Sequence, residues 1–230
     1  MSAGVKVERE DVWRWADIMR NRLVGAGPDS PCIDGQVCGS VAREQPWVGD
    51  VEIVLLPRFD PKVKAENLLG ERIETDRRYA RLEARIDEMI AEGLLKRGEV
   101  WGMKQRKLIP RAFEHFAGFR LELYIGDEDN YGNICALRNG PWELSKALLS
   151  SKFSGGLLPP YLQHEDGYLW RMSGGVRAGK ISCRHERTFF NAIGVEWIPA
   201  RERTSEKVEE LRAKLLAKQP QRPGLMSRTG

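Results

Sequence analysis

The sequence predicts an α+β fold, a mixed sheet with packed helices followed by a smaller second α+β unit. Three observations predict it. Apolar and polar residues alternate over 119–125, and an apolar run covers 51–56, both of which are strand signals. Apolar residues at helical spacing instead mark 10–23 and 76–92. From about residue 136 the composition changes, and 151–160 is rich in Gly, Ser and Pro. With 230 residues and 41% hydrophobic content, the chain is expected to build a real core in one domain or two small ones. The expected division is 1–135, 136–205, and a charged helix with a basic tail over 206–230.

Each element follows from local pattern. Val12, Trp15, Ala16, Met19 and Leu23 define the buried face of a first helix. A strand runs into Gly39-Ser40, and a second carries Asp50-Val51-Glu52 to Leu56. Residues 57–74 read as a loop-rich insertion. Thr75 is placed to cap a helix over 76–92, with Tyr79, Leu82, Ile86, Met89 and Ile90 on one face and Gly93 after it. Residues 94–109 read as a hairpin turning near Arg97-Gly98-Glu99, and a strand around Glu122 follows. Residues 38–125 should thus form a mixed sheet with helices on one side. Beyond it come a helix at 141–150, a flexible stretch at 151–160, a hairpin around Asp166-Gly167 and a basic loop at 173–182. A helix buries Phe189, Phe190 and Ile193 and stops at Gly194. A charged helix is expected at 204–218 and disorder at 219–230.

Composition narrows the class. No apolar run is long enough to span a membrane, and no apolar stretch follows Lys6 as in a signal peptide, so a cytoplasmic protein is expected. Cys32, Cys38, Cys135 and Cys183 lack the paired spacing of a zinc site and read as free thiols. The net charge is +4. Lys96, Arg97, Lys104, Arg106, Lys107 and Arg111 cluster around Trp101, and Arg171, Arg177, Lys180 and Arg184 form a second basic stretch. Both suit a phosphate backbone, and Trp101 or Trp170 could stack on a base. Lys104, Arg106, Lys107, Arg177 and Lys180 are the candidate nucleic-acid contacts.

The most informative segment is 37–56. Strand periodicity points Asp50 and Glu52 the same way, and two adjacent carboxylates repel unless a cation lies between them. Mg²⁺ prefers hard oxygen ligands and often takes only one or two carboxylates plus substrate phosphate. Gly39 lets backbone approach a phosphate, Ser40 adds a hydroxyl donor, and Arg43 offers a forked donor. These are the parts of a metal-assisted phosphoryl or nucleotidyl transfer site.

The spacing of Gly39-Ser40, Arg43, Gly49 and Asp50-Val51-Glu52 resembles the nucleotidyltransferase signature of the DNA polymerase X family, the polymerase beta-like proteins. The resemblance spans about residues 8–203. It implies a palm with a mixed sheet, a small thumb, and a third acid on a neighbouring strand, for which Glu122 is the candidate where the family usually has Asp. It also casts 131–149 as the strand, turn and helix that carry the nucleotide's sugar and base. Asn139-Gly140 takes the place of the usual Thr-Gly or Ser-Gly turn, and Leu137 and Arg138 stand where two aromatic residues commonly precede it. The closing segment 184–203 speaks for the fold.

The resemblance implies a metal-dependent nucleotidyltransferase, a minimal polymerase adding nucleotides to a nucleic-acid 3′ end. Two Mg²⁺ ions, replaceable by Mn²⁺, would sit on Asp50, Glu52 and Glu122. Gly39, Ser40 and Arg43 would bind the phosphates, Arg120 would orient the acids, and Gly49, Leu137, Arg138, Asn139 and Gly140 would flank the nucleotide. Its partners would be nucleoside triphosphates and primer-template or gapped DNA, with no membrane, and the protein would act as a monomer. The chain shows neither the lyase domain nor the helix-hairpin-helix modules of larger relatives, so its basic loops would do more of the DNA binding. A transferase acting on RNA, protein or a small molecule, and a non-catalytic nucleic-acid binder, are the alternative readings.

Overall fold

The computed structural model describes residues 6–59, 63–66, 72–75 and 79–217. Its elements run β1 (Val7–Glu8), α1 (Arg9–Val24), β2 (Cys32–Cys38), α2 (Gly39–Ala42), β3 (Trp47–Val48), β4 (Val51–Pro57), β5 (Val63–Glu66), β6 (Arg72–Thr75) and α3 (Ala80–Ala91). There follow β7 (Leu95–Trp101), β8 (Gln105–Pro110), β9 (Leu121–Ile125), α4 (Tyr131–Arg138) and α5 (Trp142–Leu149). The remainder is β10 (Leu162–Glu165), β11 (Tyr168–Ser173), β12 (Val176–Ile181), α6 (Glu186–Ile193) and α7 (Ser205–Ala217). The chain is α+β with a mixed central sheet.

That sheet has the order β2-β4-β9-β8-β7. Only the β4–β9 pairing is parallel; its neighbours are antiparallel. Period two gives the faces different duties. Odd-numbered Val51, Ile53, Leu55, Leu121, Leu123 and Ile125 enter the main core with Val12, Ala16, Met19 and Leu23 of α1 and Leu82, Ile86 and Met89 of α3. On the even face, Val54, Leu56 and Tyr124 pack with Cys38, Tyr131 and Cys135. Helices therefore lie on both sides, not one, and α4 covers only one end of the even face.

A second core gathers Leu144, Ala147 and Leu148 of α5, Phe189, Phe190 and Ile193 of α6, and Val208 and Leu211 of α7. Gly194 ends α6 with φ 73°. β10, β11 and β12 form a three-stranded antiparallel sheet beside it, turning at Asp166-Gly167 between its first two strands as expected.

Several elements differ from expectation. Residues 131–138 are helical, not a strand. Tyr131 and Cys135 share one buried face, and Gly132 and Ala136 the next, which is the spacing of a helix wedged between two cores. The β7–β8 hairpin turns after Trp101, not at 97–99, with the Gly102 N–H donating to the Gln105 carbonyl at 2.8 Å. Gly98 lies inside β7, where a Cβ would fall 2.7 Å from the Lys107 carbonyl oxygen. The glycine therefore serves close strand approach at a bulge and not a turn. The insertion contains an antiparallel β5–β6 hairpin, with Thr75 pairing in β6 and not capping α3. Residues 151–160 are tied down by the Ser151–Leu158 bridge and by buried Leu157 and Leu158. The basic 173–182 segment is mostly strand β12. The tail at 219–230 lies outside the described residues. All four cysteines are free and buried, and no helix among the described residues is long and apolar enough to cross a membrane.

Candidate active site

The open end of the even face carries the acids. Glu52 of β4 pairs directly with Glu122 of β9 in parallel register. The row continues outward, with Lys107 of β8 opposite Glu122 and Cys38 of β2 opposite Glu52. Asp50 sits just before β4 and shares the parity of Glu52. The Val51 N–H donates to the Arg120 carbonyl at 2.9 Å, carrying the β4–β9 pairing back to this point. Asp50, Glu52 and Glu122 thus share one face of the sheet, with the side chains of Glu52 and Glu122 only 15% and 12% exposed.

Their electrostatics show crowding. Burial, and next the charge of Asp50, pushes the Glu52 carboxyl up to about 7, against the opposing pull of Arg138. Asp50 is also raised, first by burial and then by Glu122. Glu122 is the exception. Burial works to raise it, but hydrogen bonds from Lys107 and Tyr124 prevail and hold it below the ordinary carboxylate range. Lys107 Nζ lies 2.8 Å from Oε1 of Glu122. Oε2 accepts from Tyr124 Oη at 2.5 Å and from Gln105 Nε2 at 3.1 Å.

The phosphate-binding candidates surround Glu52. Gly39 has φ 71°, and a Cβ there would collide with Oε2 of Glu52, so only glycine fits the turn. Ser40 Oγ is buried with no hydrogen-bond partner among the described residues. Arg43 Nη1 donates to the Gly140 carbonyl at 3.0 Å, which joins the Gly39-Ser40 turn to the loop between α4 and α5. Arg138 lies 3.4 Å from Glu52 Oε1 and stacks 3.7 Å from the Tyr124 ring centroid. Gly49 has open space where a side chain would stand.

Other candidates stand elsewhere. Asn139 is fully buried, with Nδ2 donating to Glu186 at 3.1 Å, so its side chain does not face the acids. Leu137 packs against the second core, and its carbonyl accepts from Ser145. Arg120 reaches Glu99 at 3.6 Å and its neighbour's carbonyl, not the carboxylates it was expected to orient.

Two nucleic-acid candidates are corrected. Arg106 has the opposite parity to Lys107, so it points under α3, is buried, pairs with Glu83 at 2.6 Å and flanks Trp101. Lys107 is committed to Glu122. Lys104 donates to the Asp166 carbonyl. Arg177 pairs with Glu165 beside the Trp170 ring, and Lys180 pairs with Asp129 over the Tyr168 ring. Arg177 and Lys180 thus stand among the aromatic rings of the β10–β12 sheet, and Lys104 reaches the β10–β11 turn from the β7–β8 turn.

Among the described residues no group of three or more His, Cys, Asp or Glu stands ready as a metal cluster. Asp50 and Glu52 nevertheless suit a hard divalent cation. Burial and a neighbouring carboxylate raise both, and the buried Ser40 hydroxyl next to Gly39 has no partner among the described residues. The Gln105 and Tyr124 hydrogen bonds to Glu122 and the Arg138 pairing with Glu52 escaped sequence reasoning, although alternation does put Tyr124 on the face of Glu122. Alternation along 105–107 was visible, but its register against Glu122 was not. No family model matches the chain, and no curated protein matches it.

Proposed function

We propose that the protein is a divalent-ion-dependent nucleotidyltransferase that adds nucleotides to a nucleic-acid 3′ end. The observation that carries this reading is the parallel pairing of Glu52 with Glu122, with Asp50 beside them and the Gly39-Ser40 turn packed on Glu52. On this reading the chain is a polymerase beta-like palm with a small thumb. Asp50 and Glu52, joined by Glu122, would hold Mg²⁺ or Mn²⁺, which when bound acidifies a 3′ hydroxyl and neutralises triphosphate oxygens.

The chain's own residues supply the rest. The Ser40 hydroxyl and the Gly39 backbone donate to phosphate oxygens. Arg43, anchored on Gly140, holds the phosphate turn against the nucleotide loop. Arg138 stands at the mouth of the site, with its charge beside Glu52 and its plane on Tyr124. Arg177, Lys180 and Trp170 offer a path for the nucleic-acid backbone.

Extension of a labelled primer by the purified protein, on gapped, recessed and single-stranded DNA with deoxy- and ribonucleotides, tests the reading. Addition that disappears in Asp50→Asn is the expected result. Addition that persists in that variant would sink the assignment. One observation favours a second reading, a non-catalytic nucleotide or nucleic-acid binder: both Glu122 oxygens are already taken by protein donors. Binding without extension on any substrate would support it.

A further inference from the structure

Lys107 has a different place from the one its charge suggests. Its strand position is directly opposite Glu122, and its Nζ lies 2.8 Å from Oε1 while the side chain is 26% exposed. Gln105 and Tyr124 occupy Oε2, so Glu122 has its hydrogen bonds satisfied without an ion. Across the site, the carboxylates of Asp50, Glu52 and Glu122 face basic groups in equal number, Lys107, Arg138 and Arg43. Arg43 is anchored on Gly140, and Arg138 on the Tyr124 ring. Lys107 has no such anchor, and its flexible stem can swing toward solvent and Glu99, 3.9 Å away.

We propose that Lys107 is a tethered counter-ion that closes the third carboxylate, and that it must leave Glu122 before a divalent ion completes the site. The inference rests on the reading of Asp50, Glu52 and Glu122 as ion ligands. Lys107 is then a positioning residue that sets how much free Mg²⁺ or Mn²⁺ the site requires. Its departure toward Glu99 would leave Glu122 held by Gln105 and Tyr124 in a fixed orientation, ready to offer Oε1. A single positive charge about 6 Å from a divalent ion weakens binding about tenfold even in a water-like dielectric.

The test is direct Mn²⁺ binding to the full chain, followed by electron paramagnetic resonance, for wild type, Lys107→Met and Asp50→Asn. Lys107→Met should bind about tenfold tighter than wild type, and Asp50→Asn weaker. Equal or weaker binding by Lys107→Met, with wild type binding and the variant folded by circular dichroism, would overturn the inference alone. No Mn²⁺ binding by wild type or Lys107→Met would overturn the carboxylate reading and the inference with it. Reductive methylation of the wild-type protein gives a check free of any variant. Lys107 should be modified several-fold faster when Mg²⁺ is added at a concentration that saturates the site. An unchanged rate at saturation would also overturn the proposal.

Discussion

Replacing Glu52 with Gln should stabilise the protein, which is an unusual outcome for a mostly buried side chain on a sheet strand. Glutamine keeps the shape that fills the space over Gly39 while removing the charge. The Glu52 carboxyl rises from an ordinary 4.5 to about 7 in the fold. As pH climbs through that interval the unfolded chain releases its proton first, so the native state loses stability between about 4.5 and 7. At about 1.4 kcal/mol for each factor of ten in proton affinity, the full loss is about 3 kcal/mol. The side chain is only 15% exposed, so solvent screening trims this modestly. Arg138 loses its partner in the variant, but at 41% exposure that costs little. For a chain of this size the gain corresponds to a rise of about 5–10 °C in Tm above pH 7.5. Thermal unfolding of wild type and Glu52→Gln from pH 4 to 8.5 should show curves that meet at the acid end and separate steadily. Millimolar Mg²⁺ should narrow the gap by stabilising wild type alone. Equal Tm values at pH 8, or a difference that stays constant with pH, would refute the claim that burial and the neighbouring Asp50 charge raise the Glu52 carboxyl in the fold.

Other outcomes follow from the same geometry. Glu186→Ala should destabilise by about 3–5 kcal/mol in urea unfolding, because it leaves the fully buried Arg203 cation without its 2.8 Å partner. Mn²⁺ binding by the folded fraction should be unaffected. Arg177→Ala and Lys180→Ala should each weaken single-stranded DNA binding and lower the salt-dependence slope by about one. An Arg177→Ala, Lys180→Ala double variant with an unchanged slope would remove the β10–β12 sheet from the nucleic-acid path.

Much of the fold was legible where local pattern decides. The apolar run at 51–56 and the alternation over 119–125 placed Glu52 and Glu122 on strands, and helical spacing found α1 and α3. What escaped depended on partners distant in sequence. Residues 131–138 combine a helix-compatible composition with short length, and only their burial between two cores settles their state. The β7–β8 turn mattered more. A turn at 97–99 would slide β8 along β7 and give Lys107 no defined relation to the acids. The observed turn after Trp101 sets Lys107 beside Glu122 and sends Arg106 beneath α3. Arg106 and Lys107 therefore look equivalent in the sequence and do opposite things in the fold, because one residue of register separates the two faces of a strand.

The parallel β4–β9 pairing has a consequence for assembly. Antiparallel neighbours can be joined by a short turn, but parallel ones need a long crossover. Here β5, β6, α3, β7 and β8 all lie between Glu52 and Glu122 along the chain. Asp50 and Glu52 are neighbours in any extended chain, but Glu122 cannot reach them through a local hairpin. The third carboxylate joins the pair only when β9 docks beside β4, so its approach to the other two acids depends on the whole intervening segment having found its place.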